Sequence, residues 1–200
     1  MSITLADIDY EKAAAAKCKK SMRFFVEEFW DLVVDNPLVW NWHMSVLCWL
    51  IETVDKRVFL RLVKLYDVII NIPPGTSKTM ICCVMATAWD FANMPSIRVF
   101  VGSFSDDVVT DISDKIGTIM SSEKYRRYFP KTQIRKDVNN AHQFKTTRNG
   151  HFKAFTVKGG ITGTHADILR IDDPLNPKMA ASKAEILYVK LNNKEYGNKR

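Results

Sequence analysis

The sequence predicts an α/β domain in which a mainly parallel sheet is flanked by helices. Two short apolar runs rich in β-branched residues, at 66–72 and 97–102, are each followed by a helical pattern, at 79–93 and 106–120. Strands that alternate with helices favour parallel pairing, because each helix returns the chain to the same end of the sheet. A third apolar run, at 166–172, ends in acids. The chain's 200 residues, 46% of them hydrophobic, suffice for one such domain.

A helical arm precedes the first predicted strand. Residues 5 to about 34 have apolar side chains at spacings of three and four, and Asn36-Pro37 ends this pattern. A second helix is predicted over 41–54. Its apolar stripe consists of Trp42, Val46, Trp49 and Leu50. We therefore expect a single domain, in which residues 1–60 form an arm packed on a core of residues 61–200.

Between residues 132 and 157 the sequence changes to short alternating segments. Two of these segments, 142–147 and 151–157, are separated by Asn149-Gly150, a dipeptide typical of tight hairpin turns. This pattern predicts a β-hairpin inserted in the α/β core. A glycine-rich loop is expected over 159–163, and a last helix over 180–194.

Composition narrows the classes of protein that the chain can represent. A formal net charge of +7 fits a polyanionic partner, although basic residues scattered over the surface would give the same total. The four cysteines have no zinc-type spacing, so a reducing, cytosolic setting is expected. The acidic start is unlike a secretory signal. No apolar run approaches about 18 residues, so no membrane span is expected.

The stretch Asn-Ile-Pro-Pro-Gly-Thr-Ser-Lys-Thr, ending at Thr79, has the layout of a triphosphate cradle. Such a cradle needs backbone N–H groups, a lysine for the β- and γ-phosphates, and a hydroxyl for Mg²⁺. Lys78 and Thr79 supply the last two. The usual pattern places glycines where this chain has Ile72 and Ser77, while Gly75 permits a tight turn. The alternative is an ordinary connection between a strand and a helix.

Paired acids follow the third predicted strand. A nucleotide hydrolase needs one carboxylate for the Mg²⁺ shell and usually a second to polarise the attacking water. Asp172 and Asp173 are placed for these two tasks. Alone, two acids before Pro174 indicate only a turn. Together with the Lys-Thr loop they favour a nucleotide site. Arg170 is an exception in a strand expected to be apolar throughout.

A series of distinctive segments occurs in order along the chain: Trp42-His43, Pro73-Pro-Gly-Thr-Ser-Lys-Thr79, Val101-Gly-Ser-Phe-Ser105, Ser122-Glu-Lys-Tyr-Arg-Arg-Tyr-Phe-Pro130, Gly159-Gly-Ile-Thr-Gly163, Ala166-Asp167 and Ile171-Asp-Asp-Pro174. This order resembles the ATPase domain of the large terminase subunit of tailed bacteriophages. The resemblance covers residues 36–183 and implies a P-loop NTPase fold of the ASCE type. It also implies hydrolysis of ATP, with Mg²⁺, to drive double-stranded DNA into a preformed capsid.

The resemblance further implies partners and a location. In the family, such a domain works in the host cytoplasm as a homo-oligomeric ring on the portal protein, together with a small terminase subunit. A nuclease domain usually follows the ATPase domain. The chain ends before that domain and before the strand that couples hydrolysis to DNA movement, so we expect an incomplete ATPase core without nuclease activity.

The same resemblance implies roles for individual residues. Lys78 would neutralise the β- and γ-phosphates, Thr79 and Asp172 would hold Mg²⁺, and Asp173 would orient the attacking water. The remaining nucleotide contacts would come from Pro74, Gly75, Thr76, Ser77, Trp42 and His43. The last two match a segment near the adenine, although a tryptophan on an apolar helix stripe more often lies in the core.

Two departures from the family concern catalysis. Gly75 stands where many members have an arginine, so an arginine contact from this loop to the γ-phosphate is absent, and an arginine from a neighbouring subunit could substitute for it. The sequence leaves Arg135, Arg148 and Arg170 as candidates. Asp173 replaces a residue that is often glutamate and is one methylene shorter.

Two other functions stay open at the level of the sequence. One is a helicase-like or other nucleic-acid-stimulated ATPase, and the other is a nucleotide-binding or DNA-binding module without turnover. A basic, aromatic-interleaved stretch fits contact with a DNA backbone, although a solvated helix end looks the same. Its cations are Lys124, Arg126, Arg127, Lys131, Arg135 and Lys136.

Overall fold

The computed structural model describes residues 5–159 and 165–174. In this part of the chain a five-stranded sheet has the order β2-β3-β4-β1-β5. Its strands are β1 (Arg98–Ser103), β2 (Ile134–Asn140), β3 (Gln143–Thr146), β4 (His151–Thr156) and β5 (Ile168–Ile171). Strand β1 is parallel to β4 and to β5, whereas β3 is antiparallel to β2 and β4. The predicted α/β class is confirmed.

The expectation of a mainly parallel sheet is wrong, because the sheet is mixed. The predicted hairpin is present as β3 and β4, and its turn contains Asn149 with a φ of 63°. This hairpin is not a separate insertion, since β4 forms a parallel ladder with β1. Strand β2, which the sequence did not predict, extends the antiparallel side.

Helices cover the side of the sheet that contains Val99 and Val101. They are α1 (Leu5–Lys20), α2 (Met22–Phe29), α3 (Trp42–Phe59), α4 (Ala86–Asn93), α5 (Asp106–Ser121) and α6 (Glu123–Tyr128). A 3-10 turn, Trp30–Leu32, follows α2, and a π-helical segment, Met80–Met85, precedes α4. The helices predicted within the described residues are thus confirmed, except that the first is interrupted at Ser21.

Local chemistry explains where three of these helices begin. The side chain of Asn41 accepts a hydrogen bond from the backbone N–H of Trp42, Ser105 caps α5 through Val108, and Ser122 caps α6. Each cap satisfies a backbone donor that has no partner within its helix.

Aromatic packing joins the helical arm to the rest of the domain. The rings of Phe25 and Phe29 on α2 contact Tyr125 and Phe129, with centroids 4.8–6.3 Å apart between Tyr125 and its neighbours. The indole N–H of Trp89 donates to the carbonyl of Cys18 at 2.7 Å. The arm therefore shares one apolar core with the sheet and helices.

The predicted apolar stripe of α3 does not face the core. Its buried apolar side chains are Met44, Leu47, Cys48 and Ile51, whereas Trp42, Val46 and Trp49 are exposed. Apolar residues occur on both faces of this helix, so spacing alone does not decide which face is buried.

The predicted first strand, at 66–72, is absent. Residues 62–73 form neither helix nor strand, and Ile69 is 93% exposed. The residues that flank the segment lie near the two ends of β5, because Arg61 contacts Asp167 at 3.7 Å before β5 and Lys78 contacts Asp173 after it. No ladder joins the segment to β5. A β-branched run becomes a strand only where a neighbour pairs with its backbone.

Three other predictions concern the last helix and the glycine-rich loop, membrane-spanning helices, and the cysteines. The helix predicted over 180–194 and most of the loop predicted over 159–163 lie outside the described residues. Within the described part, no helix has both the length and the apolar character needed to cross a bilayer. All four cysteines are free thiols.

Candidate nucleotide site

A tight turn over residues 74–77 joins the irregular segment 62–73 to the helix that starts at Lys78. Gly75 and Ser77 both have left-handed backbone conformations, with φ of 77° and 59°. The hydroxyl of Thr76 donates to the carbonyl of Pro73 at 2.8 Å and tightens the turn. Alternating left-handed and right-handed residues aim successive N–H groups into one concavity, which favours anions.

Ser77 has the backbone conformation that the usual cradle pattern assigns to glycine. A left-handed φ is uncommon for a residue with a Cβ, and strained residues of this kind concentrate at functional sites. The turn therefore has a left-handed residue at position 77 although the side chain there is serine. The first turn of the following helix also presents N–H groups without partners in the helix, which adds positive potential.

Asp172 lies at the carboxyl end of β5, next to the start of this helix. Its backbone N–H donates to the carbonyl of Gly102 at 2.8 Å, which holds it against β1. Its carboxylate is 5% exposed and accepts a hydrogen bond from the hydroxyl of Thr79. The residues predicted to hold Mg²⁺ are therefore in contact, although they are 93 positions apart.

Lys78 is paired with both acids. Its ammonium lies 2.5 Å from a carboxylate oxygen of Asp173 and 3.4 Å from one of Asp172. Burial by itself would lower the pKa of Lys78, but the hydrogen bond to Asp173 and the charges of both acids raise the pKa above its ordinary value. Lys78 is consequently a fixed positive charge at neutral pH.

Asp173 differs from Asp172 in exposure and in backbone conformation. Its side chain is 63% exposed, and its φ is 39°, in the left-handed region that few L-residues adopt. This conformation turns the chain away from the strand direction directly after Asp172. Both neighbouring carboxylates nevertheless lie within 4 Å of the ammonium of Lys78, at 3.4 Å and 2.5 Å.

The start of α3 lies on the other side of the turn. The Nε2 atom of His43 is 3.2 Å from the carbonyl oxygen of Thr76. Trp42 is 76% exposed, and its ring meets that of His43 edge-on with centroids 6.1 Å apart. The core alternative for Trp42 is therefore excluded, and an exposed aromatic face lies beside the turn. All the predicted site residues thus lie around one region of the surface.

The three candidate arginines have different surroundings. Arg170 has a side chain that is only 10% exposed and is paired with two acids, so it is not available to a neighbouring subunit. Arg135 contacts Asp137, and Arg148 is exposed in the turn between β3 and β4. Within the basic stretch, Lys124 and Arg127 are also held in internal ion pairs.

Sequence reasoning missed the two acids that pair with Arg170. These are Asp55 on α3 and Asp90 on α4, both buried. The only signal for them was Arg170 itself, since a charged residue in a buried strand requires buried partners. Acids on helices otherwise indicate a solvated face.

Comparison with known proteins does not identify a family for this chain. No protein-family model matches the chain, and no curated protein matches it. Its chemistry must therefore be judged from the residues that the fold brings together.

The donor set fits a magnesium nucleotide. Thr79 and Asp172 present a hydroxyl and a carboxylate oxygen side by side, and hard oxygen atoms are the ligands that Mg²⁺ prefers. The described residues contain no group of three or more His, Cys, Asp or Glu side chains arranged around one metal position. In nucleotide sites Mg²⁺ is usually held by one or two protein ligands together with phosphate oxygens and water.

Proposed function

We propose that this chain is a P-loop ATPase domain that hydrolyses ATP with Mg²⁺. The observation that supports the proposal is the meeting of Lys78 and Thr79 with Asp172 and Asp173 at one end of the sheet. Ligands of open α/β sheets bind beyond the carboxyl ends of the strands, which is where this cluster lies.

Each residue of the cluster has a defined task in this proposal. The turn's N–H groups and Lys78 bind the phosphates, and Thr79 and Asp172 hold Mg²⁺. Magnesium bound there would neutralise charge on the β- and γ-phosphates. Asp173 accepts a hydrogen bond from the water that attacks the γ-phosphorus, so that the water is positioned in line.

The pairing of Lys78 with Asp173 suggests how binding prepares the site. A triphosphate competes with Asp173 for the ammonium of Lys78, because both are anions within its reach. When Lys78 moves to the phosphates, the exposed carboxylate of Asp173 becomes free to orient water. Phosphate binding and activation of the catalytic acid would thereby be one event.

The base of the nucleotide would lie against the start of α3. The exposed ring of Trp42 offers a flat apolar face, and His43 is anchored to the turn through the carbonyl of Thr76. Stacking on an aromatic ring is worth about 0.5–1.5 kcal/mol beyond the area buried. Trp42 thus contributes affinity, whereas His43 fixes the distance between base and phosphates.

We further propose that this ATPase belongs to a viral DNA-packaging motor of the terminase type. The resemblance of the ordered motifs supports this finer assignment, and the net charge of +7 suits double-stranded DNA. The partners would be the portal protein, the small terminase subunit and further copies of the chain in a ring, in the host cytoplasm. Arg148 or Arg135 would then be the arginine offered to the neighbouring copy.

The decisive experiment compares ATP hydrolysis by the purified chain with that of Lys78→Ala, each with and without double-stranded DNA. Loss of Lys78 removes phosphate charge neutralisation, and we expect turnover to fall by about 100-fold or more. Lys115→Ala is the matched control, because Lys115 is a similarly exposed lysine paired with Asp111 at 2.6 Å in α5. Its turnover should equal that of the unaltered chain.

Other outcomes distinguish the remaining functions. Equal turnover of Lys78→Ala and the unaltered, active chain would exclude the proposed site. ATP binding without hydrolysis, in any DNA condition, would instead favour a nucleotide-binding module. Unwinding of duplex DNA without assembly on a portal would favour a helicase-like ATPase.

A further inference from the structure

Three charged side chains meet in the interior behind the candidate nucleotide site. The guanidinium of Arg170 lies 2.5 Å from a carboxylate oxygen of Asp55 and 2.7 Å from one of Asp90. The Asp55 and Asp90 side chains are 6% and 0% exposed, and that of Arg170 is 10% exposed. We name Arg170, Asp55 and Asp90 the ion cluster.

The ion cluster joins the strand and the two helices that lie next to the candidate site residues. Arg170 is on β5, two positions before Asp172. Asp90 is on α4, which continues the helix that starts at Lys78. Asp55 is on α3, whose first turn holds His43 against the carbonyl of Thr76. One guanidinium therefore contacts both helices and the strand whose relative placement defines the site.

The charges of the ion cluster balance only if the two carboxyls share one proton. Burial raises the pKa of Asp55, and it raises that of Asp90 well above the ordinary value. The charge of Asp55 raises the pKa of Asp90 further, which favours one retained proton on the pair. Arg170 stays charged, because the charges of both acids outweigh the cost of its burial. The cluster is then neutral overall.

Stability alone does not require charges at this place. Val99, Val101 and Ile168 lie on the same face of the sheet as Arg170, and all three are buried and apolar. Replacing a buried ion cluster by well-packed apolar residues is often neutral or stabilising. What the arginine adds is geometry, since its planar fork donates a hydrogen bond to Asp55 from one nitrogen and holds Asp90 in an ion pair of 2.7 Å with the other.

We propose that Arg170 is a positioning residue, which holds the end of β5 against α3 and α4 so that Asp172 meets Thr79 and Lys78. This inference rests on the proposed ATPase function and assigns a task to a residue that touches neither nucleotide nor metal. It also explains why a charged residue is tolerated two positions before the Mg²⁺ ligand.

The test replaces the whole cluster at once. The triple variant Asp55→Leu/Asp90→Leu/Arg170→Met removes all charge while filling a similar volume, so it should fold with a melting temperature close to that of the unaltered chain. We expect its kcat for ATP to fall at least about tenfold, with KM changed less than about threefold, because a misplaced acid affects the chemical step more than phosphate binding.

Two further variants separate positioning from general stability. Arg170→Lys keeps the charge without the fork, and its kcat should lie between those of the unaltered chain and the triple variant. The control is Arg98→Gln/Asp167→Asn, which removes an ion pair of 2.9 Å beside the opposite end of β5 but keeps hydrogen-bonding groups. Its kcat should stay within about twofold, since that pair lies away from the site.

A crystal structure of the triple variant gives a readout that does not depend on turnover. We expect the contact between Thr79 and Asp172 to be lost. Retention of that contact, or an unchanged kcat, would overturn the proposal. Failure of the triple variant to fold would also overturn it, because the cluster would then serve stability. If the unaltered chain does not hydrolyse ATP, the ATPase proposal fails, and the crystal structure alone decides the role of Arg170.

Discussion

The hydroxyl of Thr79 donates a hydrogen bond to the carboxylate of Asp172, across 93 positions of sequence. This contact joins the first turn of a helix to the end of a strand, so it depends on correct packing of the whole α/β core. The neighbouring pair, Lys78 and Asp173, repeats the connection at 2.5 Å. Substitutions at these four positions, and in the ion cluster in the interior behind them, should therefore have separable effects.

Asp172→Asn and Asp173→Asn should differ in which step they impair. Asp172 is the buried oxygen ligand beside Thr79, so its loss should weaken the dependence of nucleotide binding on Mg²⁺. Asp173 acts on water in our proposal, so Asp173→Asn should bind ATP and Mg²⁺ with little change while kcat falls about 100-fold or more. Titration calorimetry with and without Mg²⁺, together with steady-state hydrolysis, measures the two effects.

Two outcomes would contradict this assignment of roles to Asp172 and Asp173. If Asp172→Asn retained its Mg²⁺ dependence while Asp173→Asn lost it, the metal ligand would be Asp173. Ordinary turnover by Asp173→Asn would exclude that residue as the acid that orients water.

Trp42→Ala should weaken nucleotide binding without affecting stability. The ring is largely exposed, so its removal leaves no cavity in the core. Loss of stacking worth about 0.5–1.5 kcal/mol corresponds to a rise in the ATP dissociation constant of about 2- to 13-fold. Trp49→Ala is the matched control, because Trp49 is also exposed on α3 but lies about 10 Å further along the helix axis. Equal effects of the two changes would place the base elsewhere.

The sequence predicts the site better than it predicts the sheet. Lys78, Thr79, Asp172 and Asp173 converge because both motifs sit at the same end of the α/β core, a property that strand and helix order determines. The wrong prediction of a strand at 66–72 has a different cause. β-branched residues indicate strand propensity, but they do not indicate whether a neighbouring strand is available for pairing. Asp55 and Asp90 were missed because burial of an acid depends on a distant partner, Arg170.

Ser77→Gly should keep the turn and slightly stabilise the protein. A residue with a Cβ pays about 1–2 kcal/mol for the left-handed conformation that Ser77 adopts, and glycine does not. The greater freedom of glycine in the unfolded chain offsets about 0.5–1 kcal/mol of that gain, so the net change should stay below about 1.5 kcal/mol. Urea unfolding measures it.

The opposing substitution at the same position is Ser77→Val. A β-branched side chain is poorly tolerated at positive φ, so this variant should lose stability and raise KM for ATP as the turn changes shape. If valine and glycine had the same effect on KM, the left-handed turn at residue 77 would not be part of the phosphate site.

Asp90→Asn should alter how stability depends on pH. Because burial raises the pKa of Asp90 well above 3.8, the folded protein keeps a proton that the unfolded chain releases. This contribution to stability is complete below the unfolded pKa and is lost as pH rises through the folded pKa. Asparagine mimics the protonated carboxyl at every pH and leaves one guanidinium facing one carboxylate.

The expected result is that Asp90→Asn gains stability relative to the unaltered chain as pH rises from about 4 to 8, as measured by urea unfolding. Asp137→Asn is the control of opposite sign, because its hydrogen bond from Arg135 lowers the pKa of this exposed carboxyl. The stability that Asp137 contributes is present above the ordinary pKa of 3.8 and is lost as pH falls further. A parallel pH dependence for Asp90→Asn and the unaltered chain would mean that the ion cluster holds no shared proton, and that one guanidinium balances two buried carboxylates.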